Sequence, residues 1–172
     1  MTIRVSPYKG SFPGATPQTN KDRACTYAHN GVEFMRASAI LIEQLPGRPN
    51  VYLPLMHLSI ELLVKAHAAN ADASFKPKAN LHSTHKNLEA HKKEIKMFAN
   101  ILKNPKKTEI IDELEKAWDM ARYGEAVILT DASDLKDAQQ IAMELAEEFY
   151  KKTGVPLLAT HFPVKLKKTP AA

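Results

Sequence analysis

Residues 51–70, VYLPLMHLSIELLVKAHAAN, carry apolar side chains on almost every face of a helix. A helix apolar nearly all round must be buried among several others. This segment therefore predicts an all-α bundle with 51–70 at its centre. Pro54 lacks an N–H and suits only a first helical turn, so the regular helix is expected to start at Leu53 or Pro54.

Helical periodicity recurs on both sides of this segment. A first helix is expected from Asn20 to Leu45, with Ala24, Ala28, Met35, Ala39 and Ile42 inward. Gly31 falls in its middle, costs about 1 kcal/mol relative to Ala, and marks a place where the helix could bend. The run Leu45-Pro46-Gly47-Arg48-Pro49-Asn50 stops it. A third helix is expected from His85 to Lys103, with Leu88, Ile95, Phe98, Ala99 and Leu102 inward and Thr84 as N-cap. A fourth runs from Thr108 to Tyr123, with Gly124 in the left-handed position that closes it. A fifth runs from Ala132 to Lys152, ended by Gly154 and Pro156. The expected architecture is thus an up-and-down bundle of about five helices over 20–152. An irregular arm (1–19) precedes it and an extended basic tail (153–172) follows.

Composition narrows the function classes. The single cysteine, Cys25, permits no internal disulfide and reads as a core residue. No window reaches the roughly 18 apolar residues of a membrane span, and the first twenty residues lack the apolar stretch of a secretory signal. The expectation is a cytoplasmic chain without membrane contact. Net charge is +5, but it is uneven. Residues 76–107 hold nine lysines against Glu89 and Glu94, whereas 108–150 hold twelve acids against Lys116, Arg122 and Lys136. Attraction between the basic segment and the acidic helices, within the chain or across a dimer, is the expected use; a phosphate-binding lysine patch is the sharper one.

Chemistry concentrates in a few polar residues. His57, Glu61 and Lys65 sit at i, i+4 and i+8 of the central helix, on one line, with Glu61 and Lys65 in the favourable order for a pair. Charges on a buried helix must be answered by something. That is either an internal network or a polar groove for a small anionic or nucleotide-like ligand. His85 and the Arg122-Tyr123 pair are further candidates near helix ends. Together His57, Glu61, Lys65, His85, Arg122 and Tyr123 are the expected ligand-binding set. His82, His85 and His91 lack a cysteine or carboxylate at ligand spacing, so no metal and no cofactor is expected. Phosphate-cradling glycine loops are absent from the sequence.

Three of these segments, His57-Leu58-Ser59-Ile60-Glu61-Leu62-Leu63-Val64-Lys65-Ala66, Thr84-His85-Lys86-Asn87-Leu88 and Ala121-Arg122-Tyr123-Gly124-Glu125, resemble in order and spacing the motifs of the HEPN domain family. The resemblance covers about residues 20–150. It implies a bundle of about five helices and frequent homodimers. It also implies roles in nucleotide binding, RNA cleavage, or partnership with toxin–antitoxin and nucleotidyltransferase proteins. The ribonuclease members carry Arg, four to six residues, then His. Here that spacing occurs only from Arg23 to His29, on the first helix, and no histidine follows Arg122 until His161. A non-catalytic domain binding a nucleotide-type ligand or a partner protein is therefore expected. An atypical ribonuclease acting on RNA and a purely structural homodimer are the alternatives.

Overall fold

Helix-starting chemistry fixes the boundaries of the bundle. The computed structural model describes residues 19–76, 83–125 and 132–157, in which six α-helices and no strand occur. Helix α1 (Asn20–Gln44) opens on a capping box: Thr19 Oγ1 accepts from the Asp22 N–H, and the Asp22 carboxylate accepts from the Thr19 N–H. Helix α2 (Pro49–Ala71) begins with Pro49 in its first turn. This corrects the expected start at Leu53 or Pro54. Pro49 already supplies the fixed φ that begins a helix, so Pro54 falls inside α2, where it cannot donate to the Asn50 carbonyl.

The third expected helix is two: α3 (Thr84–His91) and α4 (Lys96–Leu102), separated by an exposed turn at Lys92-Lys93-Glu94. The break re-aims the chain. Ile95 takes an extended φ of −118°; Phe98 is buried as expected, but Ile101 is buried in place of the expected Ala99 and Leu102, which are only partly covered. Ser83, not Thr84, caps α3, its Oγ accepting from the Lys86 N–H at 3.2 Å. Helix α5 (Pro105–Arg122) starts three residues earlier than expected, with Asn104 capping and Pro105 in the first turn. Gly124 has the positive φ, 72°, expected after α5, and Gly154 (70°) follows α6 (Ala132–Thr153).

Burial confirms the all-α bundle. Helix α2 packs against α1, α3, α5 and α6 and is the central element. Ala24, Ala28, Val32 and Met35 of α1, Leu88 of α3, Ile111 and Leu114 of α5, and Ala138, Ile141, Leu145 and Phe149 of α6 close on its Met56, Ile60, Leu63 and Val64. Helix α1 runs unbroken through Gly31, which lies against Ser59 and Leu63 of α2. Ser38 Oγ donates to the Tyr52 carbonyl at 2.9 Å and the Tyr52 hydroxyl to the Pro46 carbonyl at 3.1 Å, fastening the α1–α2 turn. Lys106–Asp137 and Lys107–Glu144 ion pairs hold the start of α5 to α6. The first residues after α6 leave the helix, and Leu157 is buried in the core. Of the expected arm over 1–19, only Thr19, the N-cap of α1, is among the described residues; the rest of the tail, 158–172, lies outside them.

Candidate functional site

The line of polar residues on α2 is brought together as read from its spacing, and all three side chains are buried: His57 is 1%, Glu61 2% and Lys65 8% exposed. The Lys65 ammonium donates to Glu61 Oε1, and His57 Nε2 lies 3.5 Å from Glu61 Oε2. Burial pushes the Glu61 carboxyl up. Hydrogen bonds from His57 and Lys65, with the Lys65 charge, more than offset this and hold it below its ordinary value. Glu61 is thus an ionised carboxylate inside the bundle. Its field reaches α1: burial raises the Tyr27 hydroxyl, with Arg23 opposing and Glu61 reinforcing the shift.

From His57 a stack of side chains leads to the surface. The His57 ring packs on Trp118 of α5, centroids 5.7 Å apart and planes 23° from parallel. One helical turn on, the Arg122 guanidinium stands over the same Trp118 ring, 5.9 Å from its centroid, and 5.8 Å from the centroid of Tyr123. Asp119 lies 3.8 Å from Arg122 on the same turn. Tyr123, the C-cap of α5, is 73% exposed. Trp118, at a helical spacing that alone marks it only as an inward residue of α5, is the link between His57 and Arg122. Its place between two candidate residues was not readable from spacing, because the contact to His57 is between helices.

His85 is placed elsewhere, across the α3–α5 seam. Its Nδ1 lies 2.9 Å from Asp112 Oδ1, and its backbone N–H donates to Glu115 Oε1 at 2.9 Å, which also accepts from Ser83 Oγ. Glu115 therefore reaches across from α5 to the N-terminus of α3, where a carboxylate is favourable. The acidic face of α5 is thus partly used inside the fold.

Sequence reasoning passed over His67. It is 2% exposed on α2, its Nε2 donates to the Leu145 carbonyl at 2.9 Å, and its ring meets Phe98 and Phe149 edge-on. Burial depresses its basicity, so it is neutral in the fold. A histidine on a helix apolar all round was the available signal.

Arg23 and His29 do not converge. Arg23 donates to Asn20 Oδ1 (2.6 Å) and to the Phe75 carbonyl (3.3 Å), while His29 is exposed. Six residues apart on α1, they project about 120° apart around the axis. Cys25, expected in the core, is only partly buried. Among the described residues no three His, Cys, Asp or Glu side chains gather as a metal site, and no helix is long and apolar enough to cross a membrane.

No curated protein and no solved structure matches the chain. The family model of the HEPN domain matches residues 24–154, which span most of α1 and all of α2 to α6 and include the α2 motif, the α3 motif and the Arg122-Tyr123 turn. The chain belongs to the HEPN domain family.

Proposed function

We propose that this HEPN domain is a non-catalytic binding module that takes a nucleotide-type ligand at the C-terminal end of α5. The observation that carries the reading is the stack from buried His57 through Trp118 to Arg122 and exposed Tyr123. A guanidinium offers paired donors to a phosphate, and an exposed aromatic ring offers a face to a base. His57, Glu61 and Lys65 back this platform from inside the bundle, whereas His85 pairs with Asp112 on the α3–α5 seam and takes no part in it. The divergence of Arg23 and His29 on α1 supports a binding role over the ribonuclease alternative. On this reading the chain works in the cytoplasm beside a nucleotidyltransferase or toxin–antitoxin partner, as the family resemblance implies.

A thermal-shift panel of nucleoside mono-, di- and triphosphates tests the proposal. Ligand at 100 times its dissociation constant adds about 2.7 kcal/mol. At this chain length that raises the midpoint by roughly 5–10 °C. Arg122→Ala and Tyr123→Ala should abolish the shift and leave the unliganded midpoint nearly unchanged, since both side chains are exposed. A flat panel, or a shift that survives both changes, overturns the reading.

A second reading, a homodimer, is favoured by Ile40, Leu45 and Val51, apolar side chains exposed around the α1–α2 turn. Light scattering that finds only monomer at micromolar concentration refutes it.

A further inference from the structure

We infer that the cleft between α4 and α5 seats residues 162–168 of this chain's own C-terminal tail. The cleft has a volume of about 520 Å³. Leu102 and Pro105 form an apolar wall, and Glu109, Asp112, Glu113 and Lys116 of α5 form a charged one. Three carboxylates against one ammonium leave that wall with a net charge of −2. Lys116 is committed to Glu113, and His85 lies against Asp112. Glu109 is exposed and forms no ion pair among the described residues. The cleft therefore suits an occupant that is both apolar and basic.

Residues 162–168, FPVKLKK, are both. Phe162, Val164 and Leu166 stand at alternate positions, with Lys165 and Lys167 between and after them and Lys168 next. Side chains that alternate in this way serve two opposite walls, one apolar and one acidic. The segment is also close enough. Leu157 is held in the core, and Phe162 and Lys168 follow it by five and eleven residues. At about 3.3 Å per residue the chain spans about 16 to 36 Å over that distance. Helix α6 ends beside α4, where Lys151 and Lys152 share a surface cleft with Lys96 and Met97. Leu102, on the wall of the acidic cleft, is only about 9 Å further along α4 than Lys96. The neighbouring clefts fit worse. Between α4 and α6, Glu144, Glu147 and Glu148 are balanced by Lys96, Lys151 and Lys152, so charge cancels. The cleft at the start of α1 carries Lys21 and Arg23 and repels a basic segment. Seated between α4 and α5, the tail lies over Asp112, the partner of His85, and a molecule approaching that seam must displace it.

A water-soluble carbodiimide, which joins a carboxylate to an ammonium group in direct contact, tests this on the full chain. Mass spectrometry of the band of monomer mass should find Lys165, Lys167 or Lys168 joined to Glu109 or Glu113. Raising the salt to 0.5 M should lower the yield, since exposed pairs are screened. Phe162→Ser with Leu166→Ser keeps every reactive group and removes the apolar anchors; it should lower the yield by at least about fivefold. The charge swap Glu109→Lys, Glu113→Lys, Lys165→Glu, Lys167→Glu should again link positions 109 or 113 to 165 or 167 and keep the wild-type thermal midpoint. The inference is overturned if the tail lysines join Glu147 or Glu148 as readily as Glu109, or if the serine variant keeps the wild-type yield. It also falls if the charge swap gives no link, or if the links occur only in a band of dimer mass, which would seat the tail of a second copy.

Discussion

Replacing Gly31 by alanine sets two effects of opposite sign against each other. In an exposed helix interior the change would stabilise by about 1 kcal/mol, because glycine loses more backbone freedom on folding. Here a Cβ would stand 2.8 Å from Leu63 Cγ and 3.0 Å from the Ser59 carbonyl oxygen, both on α2. Leu63 is fully buried and cannot swing away, and the carbonyl moves only with the backbone of α2. Overpacking of a filled core costs about 1–3 kcal/mol, and contact with backbone belongs in the upper half of that range. The net expectation is a loss of about 1–2 kcal/mol, a fall in the thermal midpoint of roughly 2–8 °C at this chain length. Gly47→Ala is the control, since a Cβ there meets nothing within 4 Å. Its effect should stay within about 0.5 kcal/mol. In a Leu63→Ala background the cost of Gly31→Ala should shrink, with a coupling of at least about 0.5 kcal/mol. Differential scanning calorimetry reads wild type and the four variants, Gly31→Ala, Gly47→Ala, Leu63→Ala and the Gly31→Ala/Leu63→Ala double. A Gly31→Ala variant that melts higher than wild type refutes the close α1–α2 approach.

Three further outcomes follow from the buried polar groups and caps. Lys65→Met leaves the Glu61 carboxylate uncompensated in the core and should cost about 3–5 kcal/mol in a urea titration, whereas adding Glu61→Gln should recover part of that loss. Equal costs for the single and double variants would remove the ion pair from the account. His67 has a folded pKa below its ordinary 6.5, so its contribution is fully present above pH 6.5 and is lost as pH falls toward the folded value. Urea midpoints measured from pH 7.5 to 5.5 should decline in wild type and decline less in His67→Leu; parallel curves would count against a neutral buried imidazole. Thr19→Ala removes the side-chain cap of α1 and should cost about 0.5–2 kcal/mol by chemical denaturation, with α1 amide exchange near Asp22 rising first.

Which parts of the bundle could be read in advance follows from where the information lies. Helices α1, α5 and α6 each carry one apolar stripe, and a stripe is a local pattern, so their existence and inward faces were legible. Helix α2 was legible because it lacks a polar face. The α3–α4 break was not, because Leu88, Ile95 and Leu102 repeat every seven residues and mimic one face of a single helix. The structure buries Leu88, Ile95 and Phe98 as expected, but Ile101 in place of Ala99 and Leu102, with the chain turning at Lys92-Lys93-Glu94. That choice is made by the space beside α2 and α5, which no local window contains. The start of α2 was misplaced for a related reason. Two prolines five residues apart both suit a first turn, and only packing of Tyr52 and Leu53 into the core selects Pro49.

The candidate site divides along the same line between local and tertiary information. His57, Glu61 and Lys65 were found together because helical spacing alone aligns them. Arg122 joins them only through Trp118, an inter-helix contact, and His85 turns away to Asp112 and Glu115 although its motif stands beside theirs in the family pattern. The buried trio and the exposed pair therefore have different physical duties. Glu61 lies too deep for a ligand to reach without unpacking α2, and its charge is already answered by Lys65. Arg122 and Tyr123 are exposed, and the nearest carboxylate to the guanidinium, Asp119, is 3.8 Å away, too long for a strong hydrogen bond. An anion arriving at Arg122 would exchange a weak, solvent-screened contact for a closer one while the stack on Trp118 keeps the guanidinium in place. The inner charges can therefore hold helix register while the outer cation remains available to a ligand. Mutations at Glu61 should then register first in stability, and mutations at Arg122 first in binding.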